Sequence, residues 1–131
     1  MKKIGILNRD ISSIIASMGH YDNLLIVDAG FPIPKNIPCV DLSIRGNIPT
    51  VIEITELVSI ELAVEEFFIA DEAEAHFRNR KEAINMYFPE AKGHHLPHTD
   101  FKKLAQGCRG AIRTGDFTPY ANVILSSGVI Y

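Results

Sequence analysis

Gly19-His20-Tyr21-Asp22-Asn23-Leu24-Leu25-Ile26-Val27-Asp28-Ala29-Gly30-Phe31-Pro32 sets four consecutive aliphatic residues between two polar turns. The run is too short for a helix and has no polar alternation, so Leu24–Val27 reads as a strand covered on both faces. Gly19 on one side and Asp28-Ala29-Gly30 on the other supply the turn chemistry that brackets it. Helices and apolar strands alternate along the rest of the chain, which predicts a sheet with helices on both faces, the α/β class.

The flanking sequence fits that frame. Asn8 is a helix N-cap, Ile11, Ile14, Ile15 and Met18 recur at helical spacing, and Gly19 follows, which predicts a helix over about 9–18. Phe31-Pro32-Ile33-Pro34 and Ile37-Pro38 fit neither element, because proline fixes φ and removes a donor. They lead to a short strand at Cys39–Leu42. Val51, Ile54, Leu57, Val58 and Leu62 form a helical stripe from Thr50 to about Ala63. Phe67–Ala70 is the next buried strand, and Ala73–Tyr87 reads as one helix ended by Phe88-Pro89. An extended piece at His94–Pro97 precedes a small helix capped by Thr99 or Asp100 and ending at Gly107. Strands at about 110–113 and 122–126 close the order. The apolar Val129-Ile130-Tyr131 is expected to be covered, by its own core or by a neighbouring subunit.

A chain of 131 residues with 47% hydrophobic and 22% charged side chains fits one domain, 1–131. Thirteen basic against sixteen acidic residues give a net charge of −3, which argues against a dedicated nucleic-acid binder. The one dense basic cluster, Arg78-Asn79-Arg80-Lys81, lies between Glu74 and Glu82 and reads as a solvated helix face. The apolar run Ile4–Leu7 stops at Asn8-Arg9-Asp10, short of a secretory core or a membrane span. Cys39 and Cys108 lack Cys-x-x-Cys spacing and read as reduced thiols, so a cytoplasmic location is expected.

Chemistry concentrates in two loops. His20 follows a helix end, where it serves either as a capping imidazolium or as a functional group. Asp28 ends a buried strand, a place where open α/β sheets put ligand groups; it equally suits the turn before Gly30. Near the C-terminus, Arg113-Thr-Gly-Asp-Phe-Thr-Pro-Tyr120-Ala121-Asn122-Val-Ile-Leu125 sets a stiff polar loop between apolar runs, with a phenol and an amide that no turn requires. His94, His95 and His98 invite a metal reading, but their spacing is not that of zinc helices and no Cys lies nearby. A single His, best placed at His98, acting as a hydrogen-bond donor to a ligand is preferred, and neither metal nor cofactor is expected. No phosphate-cradling loop, Gly-x-Ser-x-Gly elbow or His-Glu-x-x-His is present.

From Lys3-Ile-Gly-Ile-Leu-Asn8 through Gly19-His20, Asp28-Ala-Gly-Phe-Pro-Ile-Pro34 and Ile112-Arg-Thr-Gly-Asp-Phe-Thr-Pro-Tyr-Ala-Asn122 to Gly128-Val129, the chain resembles the ribose pyranase and fucose mutarotase family. The resemblance implies a three-layer α/β/α sandwich with a central mixed, mostly parallel sheet. It implies an isomerase that interconverts sugar ring forms, ribose in preference to fucose. It also implies homo-oligomeric rings, usually decamers, with monosaccharide bound between subunits. His20 is then the proton donor. Asp28, His98, Tyr120, Ala121 and Asn122 contact the sugar, with Tyr-Ala-Asn reaching in from an adjacent protomer; His94 and His95 stand in for His98 if the alignment slips.

In chemical terms, ring opening needs an acid and a base beside two neighbouring oxygens. His20 is expected to be the acid, with Asp28 holding a hydroxyl and orienting the imidazole. Competing readings are a non-catalytic sugar-binding partner of a transporter and a metal-dependent hydrolase built on His94–His98.

Overall fold

The computed structural model describes all residues, 1–131. In chain order it contains α1 (Arg9–Ala16), β1 (Asn23–Val27), β2 (Cys39–Asp41), α2 (Val51–Ser59), β3 (Val64–Ala70), α3 (Arg80–Tyr87), β4 (Lys92–Leu96), α4 (His98–Ala105), β5 (Gly110–Arg113) and β6 (Val123–Ser127). One six-stranded sheet has the order β2-β5-β1-β6-β3-β4. β1 pairs parallel with β5, β5 with β2, and β3 with β4, whereas β6 runs antiparallel to both β1 and β3. The sheet is therefore mixed and mostly parallel, as expected, with its one reversed strand at the centre.

Helices cover both faces. Leu24 and Ile26 of β1 face one way and pack with Ile11 and Ile14 of α1, Val51, Ile54 and Val58 of α2, and Ile84 of α3. Leu25 and Val27 face the other way, against Phe31 and against Phe101 and Ala105 of α4. The unbroken aliphatic run is explained by this double burial: all four residues are 0% exposed. The prolines of 31–38 hold an irregular connection that fills the second layer beside α4, through Phe31, Ile33 and Ile37.

Local chemistry sets most helix ends. The Asn8 side chain accepts from the Asp10 and Ile11 amides. Thr50 and Glu53 form a reciprocal capping box, which lets the β-branched segment after Thr50 start as a helix. The helix expected at Ala73–Tyr87 is instead two pieces, a 3-10 turn at Asp71–Ala75 and α3. Asn79, at φ 59°, takes a left-handed conformation between them and interrupts the helical ladder. The cap expected at Thr99 or Asp100 is also displaced. α4 begins at His98 after Pro97, and the Glu72 carboxylate accepts from the His98 amide at 3.0 Å.

One surface expectation needs correction, and another is narrowed to one of its two alternatives. Arg80 is only 1% exposed, so the basic cluster is not wholly a solvated face. Ile130 and Tyr131 are fully open in the single chain, so its own core does not cover the apolar end. No helix is long and apolar enough to cross a membrane.

Candidate functional site

The register of the sheet builds the site. Ile26 of β1 lies opposite Val123 of β6, so the residues just after β1 and just before β6 meet at one edge of the sheet. Those residues are Asp28 and Tyr120-Ala121-Asn122. The Asn122 Oδ1 accepts from the Asp28 backbone amide at 2.8 Å, joining positions 94 residues apart. This bond consumes the carbonyl side of a buried amide and leaves its NH₂ group free to donate. The Asp28 carboxylate spends one oxygen on the Gly30 amide at 3.0 Å, an Asx turn, so both uses proposed for Asp28 operate together.

The loop before Tyr120 is held by its own polar groups. Thr114 donates its hydroxyl to the Val27 carbonyl and accepts from the Asp116 amide. The buried Asp116 carboxylate accepts from the Thr118 amide at 2.8 Å and from the Val51 amide at 3.0 Å, the latter at the N-terminus of α2. Gly115 admits no side chain, because a Cβ would collide with the Arg45 and Ile48 carbonyl oxygens. Tyr120, at φ 59°, turns the corner that feeds Ala121 and Asn122 into β6.

His98 joins the same edge as the first residue of α4. Its ring lies 4.9 Å from the Tyr120 ring, edge to face, with Phe31 at 5.9 Å and Phe101 at 6.2 Å beneath. Burial, aided by the Lys102 charge, lowers its pKa below the ordinary 6.5, so the imidazole is neutral at pH 7 and both donates and accepts. Asp28, Gly30, Phe31, Pro32, His98, Pro119, Tyr120 and Asn122 line a hollow of about 270 Å³. A second hollow beside it shares Asp28, Gly30 and Pro119 and is edged by Phe117. Ala121 is wholly buried and does not line the hollow; its amide donates to the Thr118 carbonyl and its carbonyl accepts from Arg80.

His20 is elsewhere. It precedes β1, while Asp28 follows it, and five strand residues span about 16 Å. The exposed His20 ring stacks on Tyr21 at 3.8 Å, and its Nε2 lies 2.9 Å from the Glu65 carboxylate. Within one chain, therefore, Asp28 does not orient this imidazole; the carboxylate beside it is Glu65, which sequence reasoning missed. Nothing local marked Glu65, since 45 residues separate the pair. His20 also stands beyond the helix-end position expected for it, because α1 caps at Ser17. The Tyr-Ala-Asn segment shares its chain with Asp28 and His98, so it is His20 that stands apart from the other four side chains.

The remaining histidines do not join the hollow. His94 stacks on Phe68 with its Nε2 3.2 Å from the Glu66 carboxylate, and His95 is exposed on β4. No three His, Cys, Asp or Glu side chains are grouped to hold a metal ion. A groove of about 410 Å³ between α1 and β2, edged by Asp10, Cys39 and Arg109, contains none of the anticipated residues.

Comparison with known proteins adds an independent line. The family model described as the RbsD / FucU transport protein family matches residues 1–130. The D-ribose pyranases of Enterococcus faecalis and Lactobacillus acidophilus are 40% and 43% identical over 131 residues, each alignment covering both chains completely. The structure of Bacillus subtilis RbsD complexed with D-ribose superposes with a TM-score of 0.94 at 38% identity, covering both chains fully. The fucose mutarotase of Streptococcus pneumoniae, at 16% identity, TM-score 0.77 and 95% coverage of each chain, shares the fold.

Proposed function

The chain belongs to the RbsD / FucU transport protein family, and we propose that it is a D-ribose pyranase. It is an isomerase that opens and recloses the sugar ring, exchanging pyranose and furanose forms. One observation carries the reading: a neutral imidazole, a carboxylate, a phenol and an amide converge on a hollow of about 270 Å³. That volume lies just below the roughly 300–1,000 Å³ range of drug-sized sites, which suits a small polar ligand. Full-length relatives named D-ribose pyranase point to ribose as that ligand.

A cyclic aldose opens when the anomeric hydroxyl loses a proton and the ring oxygen gains one. Closure through a different hydroxyl changes ring size. The free Asp28 oxygen accepts from one sugar hydroxyl, the Asn122 NH₂ donates to another, and His98 and Tyr120 fix the remainder. The acid toward the ring oxygen is His20, supplied by a second copy of the chain. Support comes from its exposure beside Glu65, at the opposite end of β1 from the hollow of its own chain.

The surface suits such sharing. Ile130 and Tyr131 emerge after β6 at the His20 edge of the sheet, while Phe117, Ile44 and Ile48 are exposed near the Asp28 edge. Two different apolar patches at opposite ends of the strands favour head-to-tail packing, the kind of contact that closes into a ring when the rotation between copies allows, as a decamer of stacked rings requires. The unpaired Cys39 and Cys108 fit a reducing, cytoplasmic setting.

Saturation-transfer NMR on ribose tests the activity directly. The protein is expected to accelerate exchange between pyranose and furanose signals at catalytic concentration. Exchange no faster than in buffer, with the protein folded, excludes the reading.

A further inference from the structure

Arg80 is the largest fully buried side chain of the protein and lies behind the hollow, yet the mechanism above does not use it. Its Nη2 donates to the Ala121 carbonyl at 2.6 Å, across 41 residues of chain, and its Nε has no partner. The guanidinium also sits 5.1 Å over the Phe77 ring. Burial lowers its pKa to about 10, and Asp116, Asp28 and Glu74 oppose that shift, so it remains charged at neutral pH. A buried cation with an unsatisfied donor is a poor way to fill a core; an apolar side chain of similar length usually packs there at no loss of stability.

We propose that Arg80 is a positioning residue for the sugar site: it clamps the Ala121 carbonyl so that Tyr120 and Asn122 stay presented to the ligand. The clamp acts at the point where it matters. Tyr120 turns through a left-handed conformation, and Asn122 holds the Asp28 amide through its own side chain. Fixing the carbonyl between them fixes both neighbours. The negative side chains that face the guanidinium tie the same charge to Asp28, one of the groups that lines the hollow.

The inference rests on the sugar-ring reading, and exchange by the unaltered protein tests that reading separately. Arg80→Met removes charge and donor while keeping length. The expected result is a rise in KM for ribose of about tenfold, the size of one charge-assisted hydrogen bond, with kcat changed far less. Thermal stability is expected to stay equal or rise. Arg80→Lys, which restores the charge without the planar fork, is expected to recover part of the loss. An unchanged KM overturns the proposal. So does a parallel loss of KM, kcat and melting temperature with chemical-shift changes on both faces of the sheet, which would mark a packing role. If Arg80→Met does not fold, the unaltered protein decides: its Arg80 guanidinium NMR signal must move on titration with ribose, and a signal that stays fixed overturns the clamp.

Discussion

The two ends of β1 are built differently. At the Asp28 end, polar groups from three separate stretches are half-buried or buried, with Asn122 hydrogen-bonded to Asp28 and the His98 ring packed against Tyr120, Phe31 and Phe101. At the His20 end, one imidazole stands in solvent against Glu65 and Tyr21, and none of the three lines the hollow. The first end gathers hydrogen-bonding groups around a hollow, whereas the second presents one imidazole beside a carboxylate and no such hollow. In the proposed reading the first end binds the sugar, the second supplies the acid, and another copy of the chain brings the two together.

The division can be broken most severely at its acid. His20→Ala is expected to lower ring exchange by about 10²–10⁴-fold while ribose binding survives, read by saturation transfer and by calorimetry. Mixing His20→Ala chains with Asn122→Ala chains is expected to give exchange, at low ribose concentration, above the average of the two variants alone. Verified mixed assemblies that show only that average would falsify the shared site. At the opposite end, Asn122→Ala leaves the Asp28 amide without its partner at a cost of about 1–3 kcal/mol, divided between stability and ribose affinity. Denaturation and binding curves measured together check this; an Asn122→Ala protein with both quantities intact contradicts the hydrogen-bond assignment.

Glu65→Gln sharpens the contrast further. An exposed ion pair is worth up to about 1 kcal/mol, so exchange is expected to fall by about fivefold with ribose affinity unchanged. A loss of affinity instead of rate would move Glu65 from orienting the acid to holding the sugar.

The smallest effect is a pH dependence at His98. Its folded pKa lies below the unfolded value, so the unfolded chain takes up the proton first as pH falls. The associated stability is present in full above the ordinary value of 6.5 and is lost as pH drops through the lowered folded value. Urea midpoints between about pH 5 and 7 should therefore decline less in His98→Gln than in the unaltered protein. Equal slopes would remove His98 from the account.

Elements legible in the sequence were those governed by near neighbours. The aliphatic run 24–27, the Asn8 cap and the proline-bound connection after Phe31 each declare themselves within a few residues, because burial on both faces, capping and fixed φ act locally. Asp28, His98 and the Tyr120–Asn122 corner were also legible, as turn residues at the ends of such elements. The misread helix at 73–87 shows the limit. Its composition favours one helix, but the left-handed Asn79 ends the first piece, and Arg80 is buried against the loop at Ala121, 41 residues away.

By itself, then, the sequence determined the alternation of helices and buried strands and the identity of the polar loop residues, since periodicity and turn chemistry are properties of adjacent positions. Only the tertiary structure decided which of those residues meet. The antiparallel register of β6 on β1 brings Asn122 to Asp28 across 94 residues. The direction of β1 carries His20 away to Glu65. Register and strand direction follow from how the whole sheet buries its two faces, and no short stretch of chain contains that information.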